Sequence, residues 1–556
     1  MKCNRKGYVG FTRIRALFNL SFWIVIVLVA MVVPIVLGDS GGWKWGGAAS
    51  IAWVLLARVL WVRQGFTGTL FDSVKDETVL NDVTKSRERL ERMLTPYTID
   101  PSYLGRRVFI GMVEDVKGGG GRTPIYLPPE LIRKNHISFL GASGSGKTKV
   151  STLILFQMLR EGDAIAVIDP KDDEFQPATL TNEAQRLGRP VVYINLRVNK
   201  PQLNPFKGTT SAQREQLLQT ALQLDPSGNP AVDFHRGEDR DACASLISTG
   251  LDNILDLVAA GSTTKAVTTR QNFWRELRDL ARLEAFHTTE GPDLEAVIQS
   301  GGLIYIVGDT DDLRIIAAQR LMLARLLQII KGRERESARQ VSLFLEETKY
   351  SLSNAALRAL GTIRDRRCNL MLSYQSYGDL EDCGSLPPKA VLGAAKGNTT
   401  LKFVFKLEDA STAKEFCSIA GEESIMTETT GKLLDDSGLE QGQWREANKA
   451  AVTVDMLTTN MPKPLAGQSS VSWVFGLGPA FLISTMHLPA GPRPQITPAK
   501  PLPPLAIEHL DGQAAIGHAG AKKAQTTKPG DEPDRLVVPD LQMSEKQVMA
   551  NAQELI

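Results

Sequence analysis

Cysteine is scarce in this chain. Five residues (Cys3, Cys243, Cys368, Cys383, Cys417) are spread over 556, and no two form a C-x-x-C pair. That spacing indicates neither a zinc site nor a disulfide framework. The six histidines are as scattered and suggest no metal site. Excess charge is also lacking: the formal net charge is +2, so any contact with nucleic acid has to be local. No internal repeat is visible. What is there is globular: apolar residues make up 43% and charged residues 23%, in a chain long enough for about three domains. The scarcity of cysteine fits a reduced, cytoplasmic body.

The two ends differ from that body. Residues 16–37 (ALFNLSFWIVIVLVAMVVPIVL) carry no charge. As a helix they would be about 33 Å long, enough to cross a bilayer. A second apolar run, 43–62, carries Arg58 near its end, with Arg63 just beyond. Lys2, Arg5, Lys6, Arg13 and Arg15 precede the first run, which places both ends of the hairpin in the cytoplasm. A cleaved signal peptide is disfavoured, because the run is long and a second one follows. From Pro489 the sequence turns proline-rich and then small and polar, a composition expected to stay disordered.

Between the ends lies a phosphate-binding pattern. The stretch SFLGASGSGKTKV is an apolar strand, a glycine-rich turn and the start of a helix, and it contains G-x-x-x-x-G-K-[ST]. Backbone amides of Gly141, Ala142, Ser143, Gly144, Ser145, Gly146, Lys147, Thr148 and Lys149 are placed to surround the phosphates of ATP. Lys147 is expected to reach the β and γ phosphates and the Thr148 hydroxyl to bind Mg²⁺. A second strand, DAIAVIDPKDDEF, ends at Asp169, which is either a magnesium residue or an aspartate capping a turn. A third, QVSLFLEETKYSL, ends in two carboxylates. Glu346 stands where the magnesium-shell aspartate is usual, and Glu347 where the base that polarises water is expected. A fourth, CNLMLSYQSYGDL, ends at Gln375, a candidate γ-phosphate sensor or a buried amide paired with backbone. Arg358, Arg364, Arg366 and Arg367 precede it, as a solvated face or including a finger for a neighbouring subunit's phosphate.

These strands, with further ones at GGLIYIVGD and TLKFVFKL, give a doubly wound, mainly parallel α/β core of RecA-like P-loop type. Residues 209–298 are helical in period and read as an all-α insertion. The expected plan is a transmembrane hairpin (1–66), a nucleotide-binding domain in two parts (67–208 and 299–488), the all-α subdomain (209–298), and a Pro-rich tail (489–556).

Two apolar spans, KNHISFLGASGSGKT, VIDPKDDE, NPF at 204–206, a helical insertion, LFLEET and LSYQSYGDL follow one another in a specific order. In that combination, over roughly 15–485, the chain resembles the type IV coupling proteins of conjugation, of the TraD/TraG kind, in the HerA–FtsK group of motor ATPases. The resemblance implies a homo-hexameric ring anchored in the inner membrane. Such a ring drives single-stranded DNA and its relaxase towards a type IV secretion channel. It also places the family's arginine finger on Arg364. Two departures stand out: Glu346 replaces an aspartate, and the loop between the spans is short. A channel ATPase powering protein export or pilus assembly, and a relaxase receptor that does not hydrolyse ATP, are the competing functions.

Overall fold

Five short runs are buried at every position: HISFL, AIAVID, LIYIV, VSLFL and CNLMLSY. A strand apolar on both faces needs cover on both faces, and a parallel sheet sandwiched by helices supplies it. The computed structural model describes residues 89–503, apart from 106, 115–121, 385 and 431–441. The expected membrane hairpin and the tail beyond 503 lie outside the described residues. No described helix is long and apolar enough to cross a membrane.

The strands are β1 (Val108–Glu114), β2 (Arg122–Leu127), β3 (His136–Leu140), β4 (Ala164–Asp169), β5 (Val191–Asn195), β6 (Leu303–Val307), β7 (Val341–Leu345), β8 (Cys368–Tyr374), β9 (Thr399–Val404), β10 (Glu422–Thr430), β11 (Gly442–Ala450), β12 (Ser470–Phe475) and β13 (Phe481–Thr485). Eleven form one sheet, in the order β2-β1-β13-β12-β9-β3-β8-β7-β4-β6-β5. From β9 to β5 every pairing is parallel. The register aligns Leu140 with Tyr374 and with Val404, and Leu345 with Ile168, so the carboxyl ends share one edge. The chain winds away from β3 in both directions, to β4 on one side and to β9 on the other. Ligands of open α/β sheets bind at that kind of switch point.

The parallel core is the expected one, with two additions. Edge strand β5, not among the expected strands, shows only alternating burial where β3, β6 and β7 of the same length are buried throughout. Beyond β9 lies an antiparallel wing, β12, β13, β1 and β2, assembled from the two ends of the described chain. A separate hairpin, β10–β11, completes the strands.

The helices that matter for the site are α1 (Pro129–Lys134), which leads into β3, α2 (Lys147–Arg160), which leaves the loop, and α3 (Gln176–Arg186), which follows β4. Twelve of the fourteen residues of α2 are buried. One of them, Gln157, bonds to both the N–H and the C=O of Phe109 at 2.8 Å, fastening the wing to the loop helix. Under β3, Phe139 lies between Phe344 and Phe403, with ring centroids 5.9 and 5.3 Å away. Between β5 and β6 come α4 (Ser211–Ala221), α5 (Pro230–Ile247), α6 (Ile254–Thr263), α7 (Lys265–Thr268), α8 (Gln271–Ala281) and α9 (Leu294–Gln299). Helix α4 packs on α10 (Leu313–Gly332) of the core, and among the described residues the helical segment belongs to the same compact unit as the sheet.

The expectation of disorder from Pro489 is corrected for residues 489–503. They form a strap without helix or strand, tied down along its length. Asn182 Nδ2 donates to Pro492 O at 3.1 Å, and Arg493 pairs with Asp172. Ala499 N donates to Pro201 O at 2.7 Å and Leu502 N to His287 O at 2.8 Å. Proline-rich chain loses little entropy on ordering, so a few backbone bonds suffice to hold it.

Candidate nucleotide-binding site

The loop from Gly141 to Thr148 leaves β3 at the switch point. Gly141 has φ 151°, and a Cβ there would stand 2.6 Å from that of Phe405. Gly146, φ 100°, is the N-cap of α2 and lies against Ser470, leaving no room for a side chain. With glycine at this position, no side chain caps α2. The first-turn amides of the helix face the loop, the arrangement that favours an anion.

Lys147 is 5% exposed, and its Nζ donates to Gly141 O at 2.6 Å and to Ala142 O at 3.3 Å. Burial pushes its pKa down, and the carboxylates of Glu346 and Glu347 oppose the shift. Ala142 N is already used, donating to Lys406 O at 2.8 Å, so its part is to pin the loop to the chain after β9. Lys149 likewise turns to the wing, donating to Gln468 O at 2.7 Å.

Strand β7 delivers the two glutamates. Side chains of consecutive strand residues point to opposite faces. Glu347 escapes this by adopting φ 39°, ψ 62°, which ends the strand. A left-handed non-glycine residue costs about 1–3 kcal/mol and is found where surrounding structure enforces it. Both carboxylates then act on the Lys147 ammonium. Glu347 is buried; its Oε1 pairs with Lys171 and accepts from Gln375 Nε2 at 3.3 Å. Gln375 is held in turn by its own N–H, which donates to Asp379 Oδ2 at 2.9 Å. The amide of Gln375 thus joins the end of β8 to the catalytic candidate on β7.

Glu346 is 4% exposed, and its Oε2 has no hydrogen-bond partner. Burial raises its pKa to about 7, against the pull of Lys147. An orphaned buried carboxylate oxygen close to the loop lysine is a fitting acceptor for a water of a magnesium shell. Asp169 is not comparable. Its Oδ1 accepts from the N–H of Lys171 at 2.9 Å and of Asp172 at 3.1 Å; its Oδ2 accepts from Asp173 N and Tyr305 Oη, both at 2.7 Å. Both oxygens are committed, so the metal assignment of Asp169 is replaced by the turn-building alternative. Among the described residues no group of three or more His, Cys, Asp or Glu could hold a metal alone. A magnesium ion here would therefore take Thr148, phosphate oxygens and waters as its ligands, the usual sparse protein contribution.

Lys171 was not expected. Its only sequence signal is its place two residues after Asp169, in the turn that Asp169 folds. Arg364, by contrast, is far from the loop. It is exposed on the turn Ile363–Arg366 at the amino end of β8, and β8 alone spans about 20 Å. It cannot serve the site of its own chain. Its neighbours are occupied: Arg366 Nη1 donates to Arg333 O and Arg367 Nη1 to Ala338 O, each at 3.2 Å.

Comparison with known proteins adds four findings. The family model described as the TraM recognition site of TraD and TraG matches residues 340–461, from β7 through the β10–β11 hairpin. Mobilization protein A of Escherichia coli is 30% identical over 312 residues, which are 54% of this chain and 55% of that protein. The chain thus matches about half the length of that relative. The bacterial conjugative coupling protein TrwBdeltaN70, unbound, has the same fold with a TM-score of 0.51 at 14% identity, over 67% of this chain and 89% of the other. The plasmid coupling protein TrwB in complex with a non-hydrolysable GTP analogue follows, with a TM-score of 0.50 at 14% identity, over 67% and 91%.

Proposed function

We propose that this chain, which resembles the type IV coupling proteins of conjugation in motif order, family model and fold, is an ATPase that moves DNA during conjugative transfer. The observation that carries the proposal is the gathering of Lys147, Glu346, Glu347 and Gln375, from β3, β7 and β8, at one edge of the parallel sheet. In this reading the loop amides and Lys147 bind the phosphates of ATP. Magnesium, when bound, neutralises charge on the β and γ phosphates. Thr148 and Glu346 would hold that ion, Glu346 through water. Glu347 takes a proton from the attacking water, and Gln375 keeps the Glu347 carboxylate aimed. Arg364 completes the site of a neighbouring subunit, so the active form is a ring, a homo-hexamer by family resemblance. The two N-terminal spans would place that ring in the bacterial inner membrane with both termini in the cytoplasm. Its cargo would be single-stranded DNA with a bound relaxase, handed to a type IV secretion channel.

The test uses the full chain in nanodiscs. ATP turnover should depend on magnesium, rise several-fold with single-stranded DNA, and vanish in Lys147→Ala. Turnover that ignores DNA would favour a channel ATPase powering export. Absence of turnover with ATP binding intact would leave a relaxase receptor.

A further inference from the structure

Phe175 is 44% exposed, unusual for a phenylalanine standing at the start of a helix beside a binding loop. It is not loosely placed. Asp173 Oδ1 accepts from the N–H of Phe175 at 2.9 Å and of Gln176 at 2.7 Å, fixing the entry to α3. Gln176 Nε2 donates to Thr152 Oγ1 at 3.0 Å, tying that entry to the loop helix α2. The ring of Phe175 meets the imidazole of His487 at 5.4 Å between centroids, tilted by 53°. His487 comes from the other end of the chain. It follows β13, whose carboxyl end lies on the same edge as the loop, and Leu488 beside it is buried. The two rings flank a recess lined also by Thr148, Lys149 and Thr152. The recess has a volume of about 20 Å³, room for one water, so a flat ligand would lie across its mouth on the rings rather than inside it.

The position of this pair relative to the phosphates decides its use. The γ-phosphate end of a nucleotide is fixed by Lys147, Glu347 and Gln375. The α-phosphate end then leaves past the first turn of α2, where Thr148 and Lys149 stand. We propose that the exposed face of Phe175 is the platform on which the base of the bound nucleotide stacks, with the His487 ring, tilted by 53° against it, at the edge of that base. The inference rests on the nucleotide-site reading and extends it from the triphosphate to the base. Burial, with Lys149 nearby, lowers the pKa of His487 and keeps the imidazole neutral at pH 7. A neutral ring offers a ring nitrogen to the base edge without repelling the Lys149 ammonium.

Titration calorimetry of the full chain with ATP and, separately, with inorganic tripolyphosphate tests this, both with magnesium. Base–aromatic stacking is lost by truncation with about a 5- to 100-fold fall in affinity. Phe175→Ala should therefore weaken ATP by about that factor and His487→Ala by less, both leaving tripolyphosphate unchanged, while Phe175→Trp should restore ATP binding. Unchanged ATP affinity, or an equal loss for both ligands, overturns the platform. Lys147→Ala should weaken both ligands, which checks the site itself. A wild-type chain that binds neither overturns the nucleotide-site reading and the platform with it.

Discussion

Lys171 is the residue whose role the tertiary structure reveals most directly. Asp169 folds the turn after β4 with three backbone bonds, and that turn brings the Lys171 ammonium to the buried Glu347 carboxylate. The pair fixes the position of the Glu347 carboxylate. Lys171→Met should lower kcat for ATP at least tenfold with little change in nucleotide affinity, and Lys171→Arg should recover much of it. Glu347→Gln should cost about 10² or more in kcat, the range for a positioned acid–base group. Stopped-flow phosphate release measures both. If Lys171→Met instead weakened ATP binding and spared kcat, Lys171 would be a phosphate ligand and not a positioning residue. His136 illustrates a purely structural use of a titratable group. Its ring lies 3.0 Å from Leu360 O through Nε2, and Nδ1 accepts from Leu370 N at 2.9 Å, so it must be neutral. Burial lowers its pKa from 6.5 to about 4. The unfolded chain then binds more protons than the native one between those values, so the stabilisation present above pH 6.5 is lost as pH falls towards 4. The loss should approach about 3 kcal/mol. Between pH 7 and pH 5 about 2 kcal/mol of it should be lost, which urea unfolding at the two pH values reads, and His136→Asn should abolish most of that difference.

At the scale of elements, β8 decides what Arg364 can do. The strand places Gln375 at the loop edge and Arg364 at the opposite edge, about 20 Å away. A cation so placed contributes to hydrolysis only across a subunit boundary. Arg366 and Arg367 are engaged with carbonyls of their own chain. Arg364→Ala should therefore lower turnover by 10²-fold or more at unchanged ATP affinity. Arg366→Ala and Arg367→Ala should lower thermal stability without that selective loss. Mixing Arg364→Ala chains with Lys147→Ala chains provides a direct check. Some rings would then pair an intact loop with an intact arginine, and turnover should exceed that of either variant alone. No recovery on mixing would remove Arg364 from the site.

At the scale of the molecule, the proposed function requires a nucleotide site that one chain does not complete, and the N-terminal hairpin is the expected device for bringing chains together. Removing residues 1–66 should leave a soluble and mainly monomeric protein with weak ATPase activity. Single-stranded DNA should partly restore both assembly and turnover. Light scattering that shows a stable ring without membrane or DNA would remove the hairpin from that role.

The sequence by itself determined whatever is local along the chain. The loop from Gly141 to Thr148, the glutamate pair and Gln375 are fixed spacings at the ends of apolar strands, and that spacing is what the chemistry proposed for them requires. The parallel core was legible for the same reason, since strands buried on both faces are continuous apolar runs. Only the tertiary structure decided what depends on distant segments meeting. The wing joins strands from both ends of the described chain through pairings with no local signature. Asp169 carried a motif, yet its surroundings commit its oxygens to a turn and to Tyr305. Lys171 acquires meaning from a carboxylate 176 positions away. Phe175 acquires it from a histidine 312 positions further along the chain, and the proline-rich strap from carbonyls and carboxylates laid under it. Short-range spacing is written in the chain, whereas the partner of a side chain is set by which strands lie side by side, and that is settled only when the whole sheet closes over its core.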